Sequence, residues 1–271
     1  MAKNCNAFGG IQQTPRLPLK GGIGGVFIGF FRRGKAAGYG SPKRYTILPT
    51  RALYYLHLSI RRLLWELEKL RQDDFLKVTG SEAYAAIIAG TVMPRDSYAG
   101  HLSELLDDIR SRTTDVSINR KRLFLSGSVC DDFDLIHLIE QSDAVVAGEN
   151  VCFGVRGGVD IVDESIDPVA ALAAKYLKGS VCPRMMGWYQ ERAAMMMNRI
   201  KSVKADGVIL QNIRFCDLHG SENGLFERDL EKNTLPALRI EREYGPLVDR
   251  GRLKMRVDAF IEQLRSKTRK P

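Results

Sequence analysis

No aspartate or glutamate occurs in the first 50 residues of this 271-residue chain, and that absence accounts for most of its formal net charge of +9. Lys3, Arg16, Lys20, Arg32, Arg33, Lys35, Lys43 and Arg44 stand there without acidic partners, whereas residues 51–271 carry 33 basic against 32 acidic side chains. The body is near neutral, so the overall basicity does not point to nucleic acid as a partner. No window approaches the roughly 20 consecutive apolar residues that cross a bilayer. Residues 21–31 are apolar but too few and too rich in glycine, so no membrane partner is expected. The five cysteines are scattered at positions 5, 130, 152, 182 and 216, and no basic region followed by an apolar run opens the chain. The expected setting is a reducing cytoplasm, in which thiols stay free, bind metal or do chemistry.

Other absences remove reaction classes. No two cysteines form a Cys-x-x-Cys pair, so neither zinc-finger spacing nor the bacterial ferredoxin run is available. Any metal centre must then be assembled from distant loops. Neither a Gly-x-Ser-x-Gly elbow nor a His-Glu-x-x-His helix is found, which excludes two common hydrolase designs. Gly21-Gly-Ile-Gly-Gly25 lacks the Lys-Ser/Thr that completes a phosphate loop.

What is present divides the chain into three. Residues 1–50 hold ten of the 25 glycines and show no sustained period, and they read as a basic, poorly ordered leader. Residues 51–118 read as a helical segment. Leu53, Leu56, Ile60, Leu63, Leu64, Leu67 and Leu70 recur at helical spacing, Thr79-Gly-Ser-Glu82 is a capping sequence for a second helix closed by Met93-Pro94, and 98–112 forms a third. Residues 119–271 alternate strand-like and helix-like runs. Strands are expected at 122–126, 144–148, 207–213 and 236–241, with helices at 132–142, 167–177, 184–204, 221–233 and 251–266. Such alternation predicts an α/β fold: a Rossmann-like open parallel sheet in a C-terminal lobe, with helices on both faces, preceded by the helical segment.

Three cysteines sit where a strand-like run gives way to a loop: Cys130, Cys152 and Cys216. In a parallel sheet all three emerge at the carboxyl edge, where open α/β folds bind ligands. Cys216 is the strongest candidate, beside Arg214 and His219, whose positive character favours the thiolate that a metal requires. Cys152 lies in Glu149-Asn-Val-Cys-Phe-Gly-Val-Arg156, where Gly154 permits close backbone approach and Arg156 can meet an anion. Cys130 belongs to a strand-to-helix turn whose amides face a ligand more readily than its thiol does. Cys182 precedes Pro183 and a helix, where it can simply pack. Met185, Met186, Met195, Met196 and Met197 fall on one expected helix and read as core.

Arg122-Leu-Phe-Leu-Ser-Gly127, Glu149-Asn-Val-Cys-Phe-Gly-Val-Arg156, Phe215-Cys-Asp217, Pro236-Ala-Leu-Arg-Ile-Glu241 and the run from Gly251 to Glu262 occur in an order that resembles the 2-hydroxyacyl-CoA dehydratase and benzoyl-CoA reductase family. The stretch from Cys216 to Asp229 leans toward the reductase branch. Coverage runs from about Leu53 to Arg265, and the resemblance leads to the expectation that much of the family's N-terminal lobe is lacking here. The resemblance implies two Rossmann-like lobes, a related second subunit, a [4Fe–4S] cluster and a separate ATP-hydrolysing iron–sulfur activator. By that resemblance Cys216 and Cys152, with Cys182, are the cluster ligands, and single low-potential electrons pass to an aromatic acyl-CoA thioester substrate. The alternatives within the same resemblance are a subunit of a 2-hydroxyacyl-CoA dehydratase working by radical dehydration, and a cluster-free scaffold subunit.

Overall fold

The computed structural model describes residues 50–130, 133–154, 162–178, 182–185 and 187–268. Of the leader read from the sequence, only Thr50 falls among them, and Arg156 and Met186 lie outside.

The leucine-rich stripe forms α1 (Thr50–Leu70), burying Leu58, Ile60 and Leu67. The capping box begins α2 (Gly80–Val92): the Glu82 amide donates to Thr79 Oγ1 at 3.1 Å and the Thr79 amide donates to Glu82 Oε2 at 3.0 Å. After Met93-Pro94 comes α3 (Arg95–Ser111), whose Tyr98, Leu102, Leu105, Leu106 and Ile109 close a core with α1 and α2.

Next in chain order come β1 (Lys121–Gly127), α4 (Phe133–Glu140), β2 (Ala144–Asn150), α5 (Pro168–Lys178), α6 (Tyr189–Ser202), β3 (Gly207–Ile213), α7 (Asp217–Lys232), β4 (Ala237–Arg242) and α8 (Arg250–Thr268). The four strands form one parallel sheet in the order β2-β1-β3-β4. Alternate residues of the strands feed opposite cores, as the two-residue period requires. Leu123, Leu125, Val146 and Ile209 pack against α4 and α8 on one face, whereas Phe124, Val145, Val208 and Leu210 pack against α6 and α7 on the other. The sheet is doubly wound, as the alternation predicts.

The helical segment shares these cores. Tyr84 and Ile88 of α2 belong to the α4/α8 face. Glu140, at the end of α4, accepts from the first amides of α2, Gly80 at 2.7 Å and Ser81 at 3.1 Å. A carboxylate at that position also favours the positive end of the helix dipole. No helix among the described residues is long and apolar enough to cross a membrane.

Two helices differ from the sequence expectation at their starts. The methionine-rich helix begins at Tyr189 rather than 184, because Gly187 takes φ +84 and the turn at 182–185 leads into it. Met185 therefore lies in a turn, 38% exposed, while Met196 is fully buried on the helix. Conversely, α7 begins at Asp217, four residues before the expected start, with Cys216 as its N-cap residue. Leu218, His219 and Gly220, outside the expected helix, are helical here.

Candidate functional site at the carboxyl edge

Between β1 and β3 the direction of winding reverses, and the crevice outside the carboxyl ends at such a switch point is where open α/β sheets take ligands. A buried polar seam fixes its floor. Gln211 Nε2 donates to the Ser128 carbonyl at 2.7 Å, the Ile213 amide donates to Ser128 Oγ at 2.8 Å, and Arg242 donates through Nε to Gln211 Oε1 at 3.2 Å and through Nη2 to the Val129 carbonyl at 2.7 Å. Gln211 is wholly buried, and Ser128 and Arg242 nearly so. Three strands are thereby joined at one end, and the loop after β1 is held rigid.

The four described cysteines are all free thiols, and the fold treats them differently. Cys130 is fully buried within the α4/α8 core, and its carbonyl accepts the Tyr84 hydroxyl. Its thiol is structural, and the turn holds it by the backbone. Cys152, exposed in the turn after β2, places Sγ 3.5 Å from His219 Nε2 on the first turn of α7. Cys216 is half-buried at the head of α7, where its carbonyl accepts from Gly220 at 2.8 Å and its side chain makes no capping bond. Cys182, also half-buried, lies in the loop before α6, and Arg192 Nη1 donates to its carbonyl at 3.2 Å. Arg192 also bonds Glu222 of α7 through Nε at 3.1 Å, which ties the Cys182 loop to the helix that Cys216 heads.

His219 thus serves Cys152, 67 positions away in sequence, and the two are brought together only by the fold. Arg214, the other expected neighbour of Cys216, pairs instead with Glu241 at 2.9 Å and with Glu243. The hydrogen bond to Glu241 and the charge of Glu243 raise the pKa of this guanidinium further. Between Arg214 and Cys216, Phe215 adopts φ +66 and is 90% exposed, a backbone conformation that a bulky L-residue rarely takes. Nothing in the sequence around Phe215 marks this, since left-handed positions are signalled by Gly or Asn.

Among the described residues, no three His, Cys, Asp or Glu side chains are gathered closely enough to hold a metal ion. Thiolates are the donors that an iron–sulfur cluster takes, and Cys152 and the Cys182 loop are each tied to α7, the helix that Cys216 heads. As placed, the three thiols do not form a complete ligand set.

Residues 51–264 match the family model described as 2-hydroxyglutaryl-CoA dehydratase, D-component. The chain is 22% identical over 151 residues to the (R)-phenyllactyl-CoA dehydratase beta subunit of Clostridium sporogenes, covering 56% of this chain and 40% of that protein. It is 22% identical over 183 residues to a benzoyl-CoA reductase subunit of Thauera aromatica, covering 65% and 46% respectively. It is also 19% identical over 205 residues to the beta subunit of lactoyl-CoA dehydratase from Anaerotignum propionicum, covering 75% and 54%. The chain spans about half the length of these relatives.

Proposed function

Since the chain belongs to the 2-hydroxyglutaryl-CoA dehydratase D-component family, we propose that it is a subunit of an acyl-CoA dehydratase or benzoyl-CoA reductase complex whose carboxyl edge contributes thiols to an iron–sulfur centre. This reading is supported by two ties to α7, the helix that Cys216 heads: Arg192 joins it to the Cys182 loop through Glu222, and His219 meets Cys152. The group implied is a [4Fe–4S] cluster, completed by donors beyond the described residues, from this chain or a related second subunit. When bound, such a cluster supplies single electrons at low potential. The expected substrate is an acyl-CoA thioester, with an ATP-hydrolysing iron–sulfur activator as electron donor.

This chain's own residues do something more limited, because the described thiols do not by themselves enclose a cluster. The Ser128–Gln211–Arg242 seam keeps the floor of the crevice rigid, Cys216 stands at the head of α7, and Cys152 is held against His219. The lack of three gathered ligands among the described residues favours one second reading, a cluster-free scaffold subunit of the same complex.

Anaerobic purification of the chain with its co-expressed partner subunit, followed by iron and sulfide analysis, separates the two. The cluster-bearing reading expects iron in the complex that Cys216→Ala removes, with the broad visible absorbance lost in parallel. Cys152→Ser is expected to lower the iron content as well. A complex free of iron under strict anaerobiosis, or iron unchanged in Cys216→Ala, overturns that reading in favour of the scaffold.

A further inference from the structure

The most deeply buried ion pair among the described residues lies directly beneath the Cys152 turn. Arg71, which follows α1, is 2% exposed, and its Nη1 contacts Glu149 near the end of β2, a residue with no exposed surface. The same guanidinium reaches Glu68 Oε2 at 3.4 Å and the Val146 carbonyl at 3.3 Å, and Arg199 of α6 holds the other Glu68 oxygen at 2.8 Å. Burial opposes the charge on Arg71, but Glu149 and Glu68 outweigh it and hold the guanidinium protonated. Replacing a buried ion pair by apolar residues of similar volume is often neutral or stabilising, so stability alone is a weak account of this one. Its location offers a better account.

Three residues after Glu149 comes Cys152. The turn that carries it, residues 151–154, closes through the Gly154 amide, which donates to the Val151 carbonyl at 3.1 Å. Gly154 lies against the Glu149 side chain: a Cβ there would sit 3.0 Å from Glu149 Cγ and 3.1 Å from its Oε1. The turn therefore rests on the carboxylate that Arg71 fixes from below, and from above Cys152 Sγ meets His219 Nε2 at 3.5 Å.

We infer that Arg71 and Glu149 are positioning residues for Cys152: the buried pair sets the height of the 151–154 turn, Gly154 lets the turn close on it, and the turn delivers the thiol to His219. Through Arg71 the helical segment thereby determines where a carboxyl-edge thiol stands. The use of that thiol as a cluster ligand rests on the function proposed above; the positioning itself does not.

The test is imidazole-selective ¹H–¹⁵N spectroscopy of the reduced, metal-free full chain at one fixed pH. The chain has four histidines, so the signals are few, and single His→Gln variants assign them. Cys152→Ser should displace the His219 cross-peak by more than its linewidth and leave His57, His101 and His137 in place. Gly154→Ala and Glu149→Gln, neither of which alters the thiol or the imidazole, should displace the same cross-peak. Arg71→Lys, which keeps a cation facing Glu149, should displace it less than Arg71→Met. A merely structural role lowers the unfolding midpoint without moving this signal in the folded chain. If Glu149→Gln fails to fold, Gly154→Ala decides, since its added methyl requires a shift of only a few tenths of an ångström. A folded Gly154→Ala protein with His219 at its wild-type position overturns the inference, and so does a Cys152→Ser protein with His219 unmoved. Iron retention in the Cys152→Ser complex reports separately on the proposed function: unchanged iron there, with the displacements observed, removes the ligand role and leaves the positioning intact.

Discussion

Gly127 and Phe215, both at the carboxyl edge, hold positive-φ backbone, and their surroundings lead to opposite forecasts. Gly127 has φ +137, and a Cβ there would lie 1.7 Å from the Gln211 carbonyl oxygen. That oxygen belongs to a fully buried strand and accepts the Ser128 amide at 3.2 Å, so it has nowhere to retreat. Gly127→Ala is expected to cost more than about 2 kcal/mol, read as a lower urea midpoint at unchanged slope. A midpoint equal to that of the wild type would show that the turn can rotate away. Phe215, at φ +66, leaves nearly all of its ring in solvent, so little packing offsets roughly 1–2 kcal/mol of backbone strain. Phe215→Gly relieves that strain and adds about 0.5–1 kcal/mol of backbone entropy cost. The variant should be as stable as the wild type or about 1 kcal/mol more so. A loss of that size would reveal packing of the ring within the chain. Strain kept beside a half-buried thiol at a strand end is characteristic of sites that bind something.

At the scale of elements, the decisive joint is the one that Arg71 and Glu68 make between α1, β2 and α6. Arg71→Met removes from the interior the cation that faces both Glu149 and Glu68, and the expected cost is about 3–5 kcal/mol. Adding Glu149→Gln to that variant should recover part of the loss, because one of the two buried carboxylate charges that lost this cation is then removed. A loss below about 1 kcal/mol for the single variant would mean that the carboxylates find water or another cation. None of this joint can be read in the sequence, where Arg71 is one more basic residue at a helix end, 78 positions from Glu149. The elements themselves are far more legible. The strand at 207–213 and the Thr79-Glu82 capping box carry local signals, β-favouring side chains and side chain–backbone bonds, that act over a few residues. The helix starts at Asp217 and Tyr189 are displaced from expectation because Gly220 within a helix, and Met before a positive-φ Gly, mimic the opposite state. At the site, the edge position of Cys152 and Cys216 follows from strand order, whereas the partner of Cys152 depends on how α7 packs across the sheet.

For the molecule as a whole, the titrating groups set where the fold is stable along the pH axis. Burial pushes the Asp115 carboxyl up, but the Ser117 hydroxyl at 2.6 Å and the amides of Ser117 at 2.8 Å and Leu76 at 3.1 Å outweigh it, leaving the group below the ordinary carboxylate range. The Tyr189 hydroxyl and Lys232 hold Asp229 low, and Lys254 does the same for Asp258. A carboxyl whose folded pKa is depressed contributes stability that is fully present above its unfolded value, about 3.9, and is lost as pH falls through the lower folded value. Tyr98 behaves oppositely. Burial lifts its phenol far above the ordinary value, and its hydroxyl donates to the Ala86 carbonyl at 2.9 Å. Its contribution is complete below about pH 10 and declines above that, as the unfolded chain ionises first. Urea unfolding from about pH 2 to about pH 11 should therefore show a plateau bounded by an acid limb and an alkaline limb. Asp115→Asn is expected to lower the plateau and flatten the acid limb, because the bonds that Asp115 accepts are weakened at every pH while its titration is removed. Tyr98→Phe should flatten the alkaline limb and leave the acid limb untouched. If both limbs keep their wild-type slopes in these two variants, other groups govern the pH range of the fold and these assignments are wrong.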